Sequence, residues 1–557
     1  MYNLLVGGAA GQGVDTTVAI LERFLKQAGC SLFTMRDVMS RVRGGHNFTR
    51  VRFGETAPTS HSEQLDGIIA LNEETVSLHT KDLKPEGFLL LDSTIPCDDP
   101  RAIRLDMAAI AKQLGNARTS GSVAVGAALK LFGLPLDTDG ATRVYKQAIH
   151  PEYVDINVQA VQSGYDAVQS KFPHVGGDAA GHMLLAGNRA VALGALAAGL
   201  QFYSAYPMSP ATSILENLAQ AAEEAGIVVE QAEDEIAGIN MAIGASYAGA
   251  RAMTGTSGGG FSLKVEALGL AGMAEIPLVV IDVQRPGPAT GLPTRTEQSD
   301  LQFIIHASQG EIPRMVIALR HHEDAFYQTM RAFNLADKYQ IPVILLSDQY
   351  LGDSTTTIPP LDPHAVPRWE AEDQPIEGEY ARYRYTDSGI SPRLIPGDKR
   401  GLVSADSDEH DEHGHIIEDS ETRIRMMQKR MGKIQLLENE LQEPDLLGDE
   451  APQVLLLGWG SLYGPLKEAV GLLNQQGGKR FGALVFGDIW PLPTKRLKQL
   501  AQGAGTIVNV EQNYTGQLAA LIRQQCGIQA DASILKYDGR QLSGEEIAQR
   551  LRKEVSL

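Results

Sequence analysis

Residues 228–260 read VVEQAEDEIAGINMAIGASYAGARAMTGTSGGG, and the fold turns on them. GIVVEQ and ARAMTGTS have the length and composition of buried strands, and the run between them is helical. That run is built almost wholly of Ala, Gly, Ile and Met, so another backbone must approach it closely. Strand, helix, strand in that order is the unit of a parallel sheet. An acidic knot, Glu230 to Glu235, sits at the lip of the helix. Carboxylates ordinarily mark a solvated face, and the question is what chemistry needs one at this spot.

The same alternation continues outward. PLVVIDVQR, PRMVIAL and PVILLSD read as further strands of an α/β domain over 184–357. Ahead of it, 1–175 forms another α/β domain, with YNLLVGG, LDGIIALN and GFLLLDST as strands of a parallel sheet and TVAILERFLKQAG as an amphipathic helix. PHVGGDAAGHMLLAGN, around 173–188, reads as a linker. Residues 358–450 are charged and Pro-rich: SADSDEHDEHGHIIEDS (404–420) holds no Lys or Arg, and ETRIRMMQKRMGKIQLLENELQE follows as an amphipathic helix with a basic stripe. The last domain, 451–557, repeats the α/β pattern through QVLLLGWG, RFGALVFGD and GTIVNVEQN.

With 557 residues the chain exceeds a single core. A net charge of −19 and the lack of a basic arm argue against nucleic acid. The start shows no charged n-region and apolar core of a leader, and no apolar run reaches the length of a membrane span. Cys30, Cys97 and Cys526 are scattered and odd in number, which points to a reducing cytoplasm and leaves no set for a four-cysteine iron–sulfur cluster. His410, His413 and His415 offer imidazoles at short spacing, but in an acidic linker a solvated loop is the expectation rather than a metal site.

Four further stretches stand out, and all but the Arg-rich one follow predicted strands, where α/β proteins bind ligands. VGGAAGQGV (6–14) brings Gly8, Gly11 and Gly13 to a helix N-terminus, suited to a phosphate. The acidic residue that a nicotinamide fingerprint wants ~20 residues on is missing, so another phosphate ligand is favoured. SRVRGGHNFTRVRFG (40–54) sets Arg41, Arg43, Arg50 and Arg52 around a Gly-Gly turn, facing solvent or an anion. SAYPMSPATS (204–213) carries Tyr206, Pro207 and Ser209 in a stiffened loop, its hydroxyls placed to cap a helix. QRPGPATGLPTRTEQSDL (284–301) is rigid and carries Arg285, Thr294 and Arg295, a set suited to a carboxylate.

Taken together, these motifs resemble the 2-oxoacid:ferredoxin oxidoreductases, in the form of an α subunit with the γ domain fused at its N-terminus. GGAAGQGV with SRVRGGHN is similar to the γ domain. GNRAVALGALAAGLQFYSAYPMSPATS is similar to the start of the pyrimidine-type thiamine-diphosphate domain, where the family writes YPITP. EDEIAGINMAIGASYAGARAMTGTSGGG, QRPGPATGLPTRTEQSDL and VEQNYTGQL follow in order, and the acidic linker looks most like the 2-oxoglutarate branch. The implied fold is multidomain α/β with a transketolase-C-like last domain.

The resemblance implies an answer to the acidic knot. Glu235 stands where the family keeps the carboxylate that faces the cofactor's aminopyrimidine, with Glu233 as its nearest rival. Ser209, beside Tyr206 and Pro207, stands near cofactor and substrate. Arg285 faces the substrate carboxylate, Thr294 shares its loop, and Arg295 competes for the second carboxylate of a dicarboxylic acid. Gly8, Gly11 and Gly13 lie near coenzyme A. The implied reaction is reversible oxidative decarboxylation of 2-oxoglutarate to succinyl-CoA with ferredoxin as electron acceptor. A β subunit would bring Mg, the diphosphate site and a 4Fe-4S cluster, in an (αβ)2 assembly. Pyruvate or another 2-oxoacid is the alternative substrate, and a non-catalytic scaffold subunit the alternative role.

Overall fold

The computed structural model describes residues 1–39, 44–371, 376, 378–475 and 477–555. Arg41 and Arg43 lie outside the described residues. The chain divides into two compact units, one of residues 1–186, 353–361 and 543–545 and one of the remainder.

In the first unit an eight-stranded sheet carries the core. Strand Tyr2–Ala10 is parallel to Leu65–Ala70, which is parallel to Leu83–Asp92 and then Ala102–Leu105. The other half is antiparallel, because Ser31–Asp37 and Gly44–Gly54 pair as a hairpin and the second of them flanks Tyr2–Ala10. Arg50 and Arg52 are tied down in this hairpin. Arg50 pairs with Glu63 at 2.7 Å, and Arg52 donates to the Ser60 carbonyl at 3.0 Å. The segment read as a linker also contributes a strand: Met183–Ala186 pairs antiparallel with Thr355–Ile358 at the sheet's edge.

The second unit holds two sheets. The central one runs Asp488–Trp490, Met315–Ala318, Pro342–Asp348, Leu278–Gln284, Ala252–Thr256, Phe202–Ala205, Val228–Gln231, all parallel except the first. Strand order reverses around Phe202–Ala205: the chain moves to one side for Val228–Gln231 and returns to the other for Ala252–Thr256. Such a switch opens a crevice at the strands' carboxyl ends. The C-terminal sheet runs Asp445–Gly448, Phe481–Phe486, Val454–Trp459, Thr506–Glu511, Ala532–Leu535.

Residues 404–420 are solvated over much of their length, His415 being exposed, but the segment is pinned at His410. His410 is fully buried, its ring 4.0 Å from that of Tyr383, and it makes a bridge to Ile416. The physical reason is charge pairing: Glu409 accepts from Arg430 at 2.9 and 2.7 Å and pairs with Arg423, both on helix Ser420–Leu437. That helix turns its basic stripe inward. Lys429 and Lys433 are buried against the fully buried Glu275, at 2.5 and 2.6 Å.

Candidate active site

At the carboxyl ends of the central strands, two of the loops that the sequence singled out, 204–213 and 284–301, come together with the acidic knot. Of the carboxylates in the acidic knot, Glu230, Glu233 and Asp234 are exposed and only Glu235 is buried. Asp234 is the N-cap of helix Glu235–Tyr247, its carboxylate accepting from Ala237 N at 2.7 Å. This leaves Glu235 as the first helical residue, turned into the protein. The small residues allow the approach: a Cβ on Gly238 would lie 3.3 Å from Ala205 Cα, and Ser204 Oγ donates to the Gly238 carbonyl at 2.5 Å.

The Glu235 carboxylate meets the turn after strand Ala252–Thr256. A methyl on Gly260 would fall 2.6 Å from Glu235 Oε1 and 2.2 Å from Thr256 Oγ1, so only glycine leaves room there. Glu235 Oε1 is buried and has no hydrogen-bond partner among the described residues, as is true of Ser257 Oγ beside it. Buried polar atoms are ordinarily satisfied, so an orphaned carboxylate oxygen over a glycine turn marks a place for a polar ligand. Lys264, fully buried, donates from Nζ to the Glu235 carbonyl at 3.0 Å and to Thr254 Oγ1 at 3.1 Å. Burial draws its pKa down to about 8, against the pull of Glu235 and Asp234.

On the substrate side, Arg285 donates from Nη1 to the Ser209 carbonyl at 2.7 Å. The contact is to the backbone, and the Ser209 residue itself is exposed. Tyr206 is 40% exposed and Pro207 partly so, leaving the loop free to touch a ligand. The hydroxyls of the loop do not cap helix Thr212–Ala225; Ser213 Oγ instead accepts from Asn188 Nδ2 at 2.8 Å. Thr294 and Arg295 lie in the loop that begins at Arg285, and Arg295 packs where a side chain on Gly539 would fall. That loop is braced by the C-terminal sheet. Gln298 N donates to Gln512 O at 2.7 Å and Asn513 Nδ2 to Gln298 O at 3.0 Å. Glu511, fully buried, organises the turn by accepting from Leu518 N, Ala519 N, Asn513 Nδ2 and Trp459 Nε1.

In the first unit Gly11 and Gly13 adopt left-handed backbone, φ 91° and 80°, and line a cavity of about 650 Å³ with Thr94, Arg118 and Ser122. Gly8 stands off that wall: a Cβ there would press on Gln12, Leu71 and Val14, so its smallness serves packing.

Sequence reasoning missed Lys264, the Gly258–Gly260 turn and two carboxyls, Asp282 and Asp300. Lys264 had a signal, since it is the sole cation between 252 and 276. No group of three or more His, Cys, Asp or Glu that could hold a metal occurs among the described residues, and no helix among them is long and apolar enough to cross a membrane.

Comparison with known proteins assigns the family. The family "Pyruvate flavodoxin/ferredoxin oxidoreductase, thiamine diP-bdg" matches residues 193–429, and "Pyruvate ferredoxin/flavodoxin oxidoreductase" matches 3–167. The 2-oxoacid:ferredoxin oxidoreductase subunit alpha of Sulfolobus sp is 32% identical over 99% of this chain and 96% of its own length. The chain belongs to the 2-oxoacid:ferredoxin oxidoreductase α-subunit family. Within that family, the 2-oxoglutarate oxidoreductase subunit KorA of Mycobacterium tuberculosis is 32% identical over 79% of this chain and 69% of its own length. The solved 2-oxoglutarate:ferredoxin oxidoreductase of Magnetococcus marinus, with 2-oxoglutarate, coenzyme A and succinyl-CoA bound, is 31% identical. It covers 100% of this chain and 99% of its own, with a TM-score of 0.92. The central crevice thus lies in a thiamine-diphosphate-binding domain fused to an N-terminal oxidoreductase domain.

Proposed function

We propose that this chain is the α subunit of a 2-oxoglutarate:ferredoxin oxidoreductase, reversibly converting 2-oxoglutarate, coenzyme A and oxidised ferredoxin to succinyl-CoA, carbon dioxide and reduced ferredoxin. The observation that carries the reading is the orphaned, buried Glu235 Oε1 over the Gly260 turn, a setting of the right polarity for the aminopyrimidine of thiamine diphosphate. When bound, that cofactor supplies the carbanion chemistry that releases carbon dioxide from a 2-oxoacid.

The chain's own residues do the rest. Glu235 Oε1 would hold the aminopyrimidine and hold or move a proton at its own oxygen, as a positioned carboxyl can. Lys264 fixes the backbone that carries it. Tyr206, Pro207 and Ser209 form the wall between cofactor and substrate. Arg285 receives the 2-oxoacid carboxylate, with Thr294 in the same loop, and Arg295 is the candidate for the second carboxylate of a dicarboxylic acid such as 2-oxoglutarate. The likeness to KorA and to the Magnetococcus enzyme supports the same choice. Gly11 and Gly13 line the cavity offered to coenzyme A, which is of a size for a small-molecule ligand. Mg, the diphosphate contacts and a 4Fe-4S cluster belong to a separate β subunit, in a cytoplasmic (αβ)2 assembly.

The test is 2-oxoacid-dependent reduction of a low-potential dye with coenzyme A and thiamine diphosphate, on this chain alone and co-expressed with a β subunit. Activity in the pair alone, highest with 2-oxoglutarate, supports the proposal. A preference for pyruvate moves the substrate and keeps the chemistry. An assembled, cluster-loaded pair inactive with every 2-oxoacid identifies a scaffold.

A further inference from the structure

Two carboxyls stand behind Arg285 with little to neutralise them. Asp282, on strand Leu278–Gln284, is fully buried and lies in register with Thr256 on one neighbouring strand and Leu346 on the other. Neither of its oxygens meets a donor among the described residues. Asp300 occupies the N-cap position of helix Leu301–His306, yet its side chain does not cap the helix. Its own N–H is held by Gln284 Oε1 at 3.0 Å, and Gln284 is fixed in turn by donating to the Ser347 carbonyl at 3.0 Å. Asp282 and Gln284 point to the same face of their strand, so Asp300, whose N–H Gln284 holds, sits on the Asp282 side and the two carboxyls act on each other. Asp300 Oδ2 is buried and also lacks a donor. Gly258 makes the room: a methyl there would lie 2.3 and 2.7 Å from the two Asp300 oxygens.

We propose that Asp282 and Asp300 share one proton and act as a positioning pair, presenting a single negative charge to Arg285 and seating the Gly258–Gly260 turn that cradles Glu235. Two carboxyls side by side out of water cannot both ionise cheaply, and a proton between them supplies the donor that each lacks. Burial, then the neighbouring Asp300, pushes Asp282 well above the carboxylate range. Burial, then Glu297, pushes Asp300 up to about 6, with Arg285 opposing in both cases. The charged groups facing the pair are therefore Arg285 and Glu297.

The shared proton decides what Arg285 can offer. One guanidinium nitrogen is already committed to Ser209. Loss of the shared proton adds one negative charge beside Arg285 and weakens the hold of that guanidinium on an anion. The pair loses the shared proton as pH rises through the upper titration of the couple, which burial sets well above the ordinary carboxylate range. The KM for the 2-oxoacid therefore climbs on the alkaline side while kcat holds, a consequence that rests on the function proposed above.

The experiment follows the KM for 2-oxoglutarate in the assembled complex from about pH 6 to about pH 9, for the parent, Asp300→Asn and Asp282→Asn. Infrared spectra of the full chain report the C=O stretch of a protonated carboxyl independently of turnover. The amide introduced by Asp300→Asn mimics the protonated partner and keeps a single charge at Asp282, so we expect the KM at neutral pH to stay within about twofold of the parent's, with a flattened alkaline limb and the infrared band lost. A parent without the band overturns the shared proton. A parent with the band but a flat KM, or an Asp300→Asn that keeps the parent's limb, overturns the role toward Arg285. A complex that oxidises no 2-oxoacid overturns the proposed function, while the band still reports the pair. If Asp300→Asn does not assemble, Asp282→Asn and the parent's band and profile decide in the same way.

Discussion

Glu235 and Lys264 are the residues on which the site stands, and each makes its own prediction. Replacing Glu235 by Gln keeps shape and removes the proton site, so activity of the assembled complex should fall by roughly 10²–10⁴-fold with the melting temperature unchanged. A Glu235→Gln variant as active as its parent would dismiss the assignment. Gly260→Ala drives a methyl into Glu235 Oε1 and Thr256 Oγ1, and titration with thiamine diphosphate should show weakened saturation in a folded protein. Lys264 carries a charge that its surroundings disfavour, with its pKa near 8 rather than the unfolded chain's ~10.4. Because the native state binds fewer protons than the unfolded one in that window, stability rises with pH from about 8 to about 10. Lys264→Met should remove that share of the rise and match or exceed the parent's melting temperature at neutral pH, as replaced buried charges often do. Its kcat should drop, since Glu235 loses its backbone anchor. Of these residues, the pattern marked only the acidic knot between a strand and a small-residue helix, and the family resemblance put Glu235 ahead of Glu233. Lys264 and the Asp282–Asp300 pair were illegible because their partners come from other loops, brought near only by the sheet.

Among the elements, helix Ser420–Leu437 shows how far pattern reading reaches. Its existence follows from sequence; its orientation does not. A stripe of Lys and Arg reads as a solvated face, yet Lys429 and Lys433 close on Glu275, 154 and 158 residues earlier in the chain. Burial alone would raise the Glu275 carboxyl, but Lys433, Lys429 and Arg382 outweigh it and hold it well below the usual range. Its stabilising contribution is thus present above the unfolded carboxylate's pKa and is lost as pH falls through the folded value. Glu275→Gln leaves two buried ammoniums without their anion and should cost about 3–5 kcal/mol in chemical denaturation. A loss below about 1 kcal/mol, the range of an exposed pair, would show that the cluster is solvated in solution. The central strands, by contrast, were readable, because continuous apolar runs such as PLVVIDV need no distant partner to declare themselves, whereas short edge strands such as Ala102–Leu105 and Ala532–Leu535 were not.

For the whole molecule, the division of labour between chains is the testable matter. Cys30 is buried, with its thiol pushed up to about 11 by burial, and Cys97 and Cys526 are free elsewhere in the sequence. Purified alone, the chain should hold less than ~0.1 iron per molecule, as a cluster demands four clustered thiolates, and should show no cluster signal by electron paramagnetic resonance. Stoichiometric iron in the isolated chain would refute the placement of the redox centre on a partner. The family and its layered α/β character were legible because several motifs recur in fixed order along the chain. The antiparallel hairpin and the edge strand Met183–Ala186 were harder, since pairing direction is settled by which strands become neighbours rather than by their composition.

The turn built on Glu511 has a consequence for anyone recombining such proteins. Its hydrogen bonds reach residues 513–519, and Gln512 and Asn513 grip Gln298. A crossover placed at the natural-looking seam before residue 451 would therefore carry away the splint of the arginine loop while leaving every residue of that loop unchanged. Chimeras should inherit substrate preference partly from the donor of their last hundred residues, although no side chain from that segment is assigned to the substrate.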